Sequence, residues 1–114
     1  ELTRDELHEL IQTNIQPKAI HSEYGMTELM SQGYLQNTNF GCPNWMKVLV
    51  RETTDPLNVM PSGKGALNII DLANLYSCSF IATDDLGKVH KNGNFEVLGR
   101  IDHTQMRGCN LLVL

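Results

Sequence analysis

Between Met46 and Val97 the chain is cut into short apolar runs separated by glycine, proline and asparagine, and this cadence constrains the fold more than any other feature. Met46-Lys47-Val48-Leu49-Val50-Arg51-Glu52 alternates charge with apolar residues and predicts a strand. Thr53 to Gly65, holding Asp55-Pro56 and Pro61-Ser62-Gly63, reads as turn and loop. Ala66 to Ala73 and Ser79 to Thr83 are apolar enough for buried strands. Val89 to Val97 carries Asn92-Gly93 at its centre and predicts a hairpin, because Asn-Gly supplies the positive φ angles of a type I′ turn. Leu111 to Leu114 add one last apolar strand. Ser62-Gly63-Lys64-Gly65 lacks the earlier glycine of a phosphate loop and no helix pattern follows it, so it reads as a turn between strands.

The N-terminal part has a different period. Thr3-Arg4-Asp5-Glu6 has the form of a capping box, and Leu7, Leu10, Ile11 and Ile15 follow at helical spacing, predicting a helix to about Asn14. Pro17 forbids its continuation. A short strand through Lys18 to Ser22 then delivers Tyr24 and Thr27 at its carboxyl end, where open α/β sheets place ligands. Gly33 to Trp45 reads as an irregular polar segment. The expected fold is α+β: a short helix-strand element, then a mostly antiparallel, barrel-like β-sheet. Three segments are expected, 1–32, 33–102 and 103–114, the last a C-terminal strand.

Composition excludes several classes. A net charge of −4 argues against a nucleic-acid partner, which needs a basic patch. No apolar run reaches the roughly 18 residues of a membrane span. The charged opening Glu1 to Leu7 is unlike a signal peptide, and three cysteines without a Cys-x-x-Cys spacing fit a reducing cytoplasm better than a disulfide framework or zinc site. His8, His21, His90 and His103 are too scattered to suggest a metal centre.

Two segments could carry chemistry. The first is Ser22-Glu23-Tyr24-Gly25-Met26-Thr27-Glu28. The second runs from Asp85-Leu86-Gly87-Lys88 to Phe95-Glu96-Val97-Leu98-Gly99-Arg100-Ile101-Asp102. On the residues alone, the first is either a ligand-binding strand end or a turn with a core tyrosine and a surface glutamate. Arg100 and Asp102 are either site residues or a solvated pair on one strand face. In their order and spacing, the two segments resemble the Tyr-Gly-x-Thr-Glu and Thr-Gly-Asp-Leu-Gly to Gly-Arg-x-Asp motifs of the acyl-adenylate-forming enzymes. The ending Met106-Arg107-Gly108-Cys109-Asn110 resembles the phenylacetate-CoA ligase branch. With Cys109 it resembles most the acyl-protein synthetases of bacterial luminescence fatty-acid reductase systems. Thr83-Asp84-Asp85 stands where the family has Thr-Gly-Asp, and the lysine usual after Gly-Arg-x-Asp is missing.

The resemblance implies an ATP- and Mg²⁺-dependent ligase. Tyr24 would stack on adenine, with Gly25 beside it. Thr27 would bind the α-phosphate, Glu28 the magnesium, Asp85 both ribose hydroxyls, and Arg100 ribose and phosphate. The same resemblance implies a fatty acid as substrate, Cys109 as acyl acceptor and an acyl reductase as partner; coenzyme A is the alternative acceptor. Cys109 could equally be a small packing residue, and a non-catalytic domain that kept the fold is the remaining alternative. The phosphate loop and acyl pocket of the superfamily have no counterpart here, so the chain is expected to be the C-terminal part of a longer enzyme. As a fragment it is expected to be inactive and to self-associate through uncovered surface.

Overall fold

In the computed structural model, which describes residues 2–101, Thr3 opens α1 (Arg4–Ile15) as the spacing predicts. Its Oγ1 accepts from the Glu6 amide at 3.3 Å, and Glu6 Oε2 accepts from the Thr3 amide at 2.7 Å, so two orphan donors are satisfied reciprocally. Asp5 and Glu6 also suit the positive end of the helix dipole. Gln16 ends the helix in the left-handed region at φ 52°, and Pro17 follows. No residue of α1 is buried, and Leu7, Leu10 and Ile15 of the apolar stripe stay exposed. The helix meets the sheet at its first two turns, where the Arg4 guanidinium lies 5.6 Å from the Phe40 ring centroid and His8 Nε2 lies 2.8 Å from Ser22 Oγ.

Eight strands follow among the described residues: β1 (Glu23–Tyr24), β2 (Gly33–Gln36), β3 (Asn39–Gly41), β4 (Met46–Arg51), β5 (Val59–Met60), β6 (Gly63–Asp71), β7 (Phe80–Val89) and β8 (Phe95–Arg100). They form one antiparallel sheet in the order β1-β2-β3-β8-β7-β6-β4-β5. The sheet is open rather than barrel-like. Among the described residues its two ends, β1 and β5, have two residues each and no ladder joins them, whereas closure requires a continuous one.

Three local expectations are corrected. Lys18 to Ser22 form no strand, and pairing begins only at Glu23↔Tyr34. The polar stretch after Gly33 is a hairpin, with Leu35↔Phe40 in register and Asn37 taking the left-handed turn position at φ 59°. The Asn92-Gly93 hairpin is present but is not type I′, since Asn92 does not have positive φ; only Gly93 does, at 89°. The Gly93 amide donates to the His90 carbonyl and the His90 amide to the Asn94 carbonyl, the pattern of a three-residue loop with glycine in the left-handed position. In addition, Gly63 to Gly65 belong to β6 rather than to the preceding turn, and Cys78 sits exposed in the loop before β7.

The core lies on one face of the sheet. Val48↔Ile69 and Val50↔Leu67 put four nearly inaccessible side chains together, and Val89 and Phe95 continue the layer. Gly87 makes this possible, because a Cβ there would stand 2.8 and 2.9 Å from the two δ-methyls of Leu67. Among the described residues no helix is long and apolar enough to cross a membrane. Asp102, Cys109 and the expected strand Leu111 to Leu114 lie outside the described residues.

Candidate functional site

The site begins with an irregularity in β7. Between Ala66 and Asn68 of β6 the ladder to β7 shifts register, leaving extra residues around Thr83 to Asp85. Buried Thr83 fixes this bulge: its hydroxyl donates to the Leu67 carbonyl at 2.8 Å and accepts from the Asp85 amide at 3.1 Å. On its other side β7 pairs with β8, and there Asp85 stands directly across from Arg100. Cross-strand partners share a face, so the two side chains meet, with Arg100 Nε 3.3 Å from Asp85 Oδ1. The other carboxylate oxygen, Oδ2, accepts from the Tyr24 hydroxyl at 2.6 Å.

Tyr24 reaches this point because its ring is packed from below. Phe95 meets it edge-on at 5.2 Å, Phe40 lies at 6.1 Å, and Phe40 and Phe95 stack at 5.4 Å. Burial, and then the Asp85 carboxylate, raise the Tyr24 pKa well above the usual phenol value, so the hydroxyl remains a donor at neutral pH. The two ends of the ion pair differ: the Asp85 side chain is 14% exposed and the Arg100 side chain 79%. Beside Tyr24 lies an open cleft of about 570 Å³, lined chiefly by Arg4, Tyr24, Phe40, Val97 and Leu98. That volume is in the range of small-molecule sites, and its lining includes both Arg4 and Asp5, whose charges lie 3.9 Å apart.

Tyr24 and Arg100 therefore both meet the carboxylate of Asp85, one at each oxygen, although Tyr24 and Asp85 are 61 positions apart in the chain. Gly25 is exposed, with Gln32 Cγ 3.1 Å from where a Cβ would stand. Thr27 and Glu28 lie exposed on the turn closed by the Leu29 amide and Met26 carbonyl. Glu28 offers a free-standing carboxylate, and among the described residues no three histidine, cysteine, aspartate or glutamate side chains gather as a metal centre. A magnesium ion held there would take its other ligands from phosphate oxygens and water, which suits an ion that keeps much of its hydration.

Sequence reasoning missed the network that fixes this turn. Asp71, fully buried at the end of β6, accepts from the Met30 and Ser31 amides at Oδ2 and from the Ser31 hydroxyl and Ala73 amide at Oδ1, at 2.8–3.1 Å. Burial alone would raise its pKa, but these donors together hold it below the usual carboxylate value. Trp45 Nε1 donates to the Ser31 hydroxyl at 2.8 Å, and Asn74 Nδ2 bridges the carbonyls of Glu28 and Cys78. The available signal was Asp71 and Asn74 closing an apolar run. Cys42 is half-buried, and burial pushes its thiol up to about 11, which suits a packing residue.

No family model matches the chain, and no curated protein matches it either.

Proposed function

We propose that this chain is the C-terminal part of a cytoplasmic, ATP-dependent acyl-protein synthetase, which activates a fatty acid as acyl-AMP and passes the acyl group to a cysteine for delivery to a reductase. The observation that carries this reading is the meeting of two motif segments, remote in sequence, at Tyr24, Asp85 and Arg100. The cleft beside Tyr24 and the oxygen donors of Thr27 and Glu28 add support.

ATP supplies the α-phosphorus that the fatty acid carboxylate attacks, with pyrophosphate leaving. Asp85 would receive the ribose hydroxyls, Arg100 and Thr27 would bind phosphate oxygens, and Glu28 would hold the magnesium, which supplies charge neutralisation at the phosphates when bound. The Cys109 thiolate then attacks the acyl carbonyl, AMP leaves, and the thioester travels to the partner. Exposed Leu57, Leu75 and Tyr76 support self-association of the isolated chain.

The test uses the full-length enzyme. Asp85→Ala is expected to reduce acid-dependent ATP–pyrophosphate exchange roughly thirty- to a hundredfold, the weight of a bidentate charge-assisted contact at about 2–3 kcal/mol. Cys109→Ser should keep the exchange but lose protein-bound label that hydroxylamine releases. Unchanged exchange in Asp85→Ala overturns the nucleotide assignment. Label that appears only with added coenzyme A turns the reading toward a phenylacetate-CoA type ligase.

A further inference from the structure

The Tyr24 ring is 9% exposed, with Phe95 and Phe40 packed against it. Its outward chemistry is therefore concentrated in the hydroxyl, and that hydroxyl already makes the shortest polar contact of the cluster, 2.6 Å to Asp85 Oδ2. An aspartate side chain has two free torsions, and a carboxylate that must meet two ligand groups at once needs both of them fixed. Asp85 has three anchors. Thr83 holds its amide, Tyr24 holds Oδ2, and Arg100 touches Oδ1. The first fixes only the backbone. The third sits on an arginine side chain that is 79% exposed and free to leave for a ligand's anionic group. Tyr24 alone fixes the carboxylate from a buried, aromatic-packed position.

We infer that Tyr24 is a positioning residue that acts through Asp85: its hydroxyl sets the carboxylate plane so that the remaining lone pairs face both hydroxyls of a ribose. This rests on the nucleotide reading above, and it changes what the tyrosine is for. Specificity for a ribose diol then resides in the Tyr24–Asp85 bond rather than in the aromatic face. The raised pKa of the phenol supports the role, since the donor persists across neutral pH. Each carboxylate oxygen has more than one acceptor site, so one bond from Tyr24 leaves room for ligand donors.

Calorimetric titration of the full-length protein with AMP and with 2′-deoxy-AMP tests the inference without relying on turnover. Tyr24→Phe keeps the ring between Phe40 and Phe95 and removes only the hydroxyl. It is expected to raise Kd for AMP about tenfold and Kd for 2′-deoxy-AMP less than roughly threefold, so that the preference for the diol narrows. Equal weakening of both ligands, or no change in either, overturns the positioning role and leaves Tyr24 a packing residue. Asp85→Asn separates the two levels. If it abolishes AMP binding while Tyr24→Phe changes nothing, the nucleotide reading stands and this inference falls. If wild type binds no AMP, both fall. Should Tyr24→Phe fail to fold, 3,5-difluorotyrosine at position 24 keeps the ring at nearly the same volume with a stronger donor. A shifted AMP preference then supports the bond's role, and an unshifted one overturns it.

Discussion

Asp71 on β6 and Asp85 on the neighbouring β7 take the same functional group into opposite circumstances. Asp71 is fully buried and surrounded by four donors, three of them main-chain amides, with no cation among its hydrogen-bond partners. Asp85 keeps some exposure, and its two side-chain partners are a buried phenol and an exposed guanidinium. A carboxylate saturated by backbone donors cannot exchange partners without undoing the fold around it. One whose cation lies in solvent can give that cation up to a ligand. The contrast separates a structural aspartate from one available for binding, and it does so by the kind of donor rather than by depth alone.

The sharpest break of this comparison is to remove each carboxylate in turn. Asp71→Ala leaves three amides and the Ser31 hydroxyl proton without their acceptor, the two Ser31 groups in a buried place, and is expected to cost about 3 kcal/mol. In thermal unfolding that is a loss of roughly 10 °C or more in Tm for a chain of this size. Asp85→Ala should cost about 1 kcal/mol, because Arg100 is already solvated and only the Tyr24 hydroxyl loses a buried partner. Equal destabilisation by the two would show that Asp85 is a second structural staple.

What the sequence disclosed follows the range of the interactions involved. The capping box at Thr3 was legible because both bonds lie within one helical turn. β4 was legible because Met46, Val48 and Val50 alternate with residues that reach solvent. The β2–β3 hairpin was hidden because its core side carries only Leu35 and Phe40 among Gly33, Gln36 and Asn39, and its order comes from partners rather than from its own pattern. Likewise the stripe of α1 predicted the helix, but periodicity cannot say whether a surface exists to receive it. At the site, the motifs gave Tyr24, Asp85 and Arg100, while the bulge beside Asp85 depends on Thr83 bonding across to Leu67. Asp71 escaped notice because an aspartate at a strand end usually faces water, and only the fold supplies its donors.

Acid sharpens the comparison further. The folded-state pKa of Asp71 is lowered, so its contribution is complete above the unfolded-state value of about 3.9 and is lost as pH falls through the lower folded value. Wild-type stability measured by urea unfolding should therefore hold from neutral pH down to about pH 4 and decline below it. Asp71→Asn, less stable at neutral pH, should show a shallower decline on the acid side. An unchanged acid slope in that variant would assign the decline to other carboxylates, among them Glu6, which Thr3 holds below its usual value by backbone and side-chain hydrogen bonds.

The smallest expected effect tests what organises the structural side of the pair. Trp45 donates to the Ser31 hydroxyl, and that hydroxyl in turn donates to Asp71 Oδ1. Trp45→Phe removes the first bond and leaves the second. The indole is 53% exposed, so little burial is lost with it. The expected cost is about 0.5–1 kcal/mol, the net weight of one ordinary hydrogen bond, read as a small fall in Tm. A loss as large as that of Asp71→Ala would mean that the indole, rather than the carboxylate, sets the position of Ser31. The Met30 and Ser31 amides would then be followers of the tryptophan, and Asp71 would owe three of its four donors to a residue on the loop before β4.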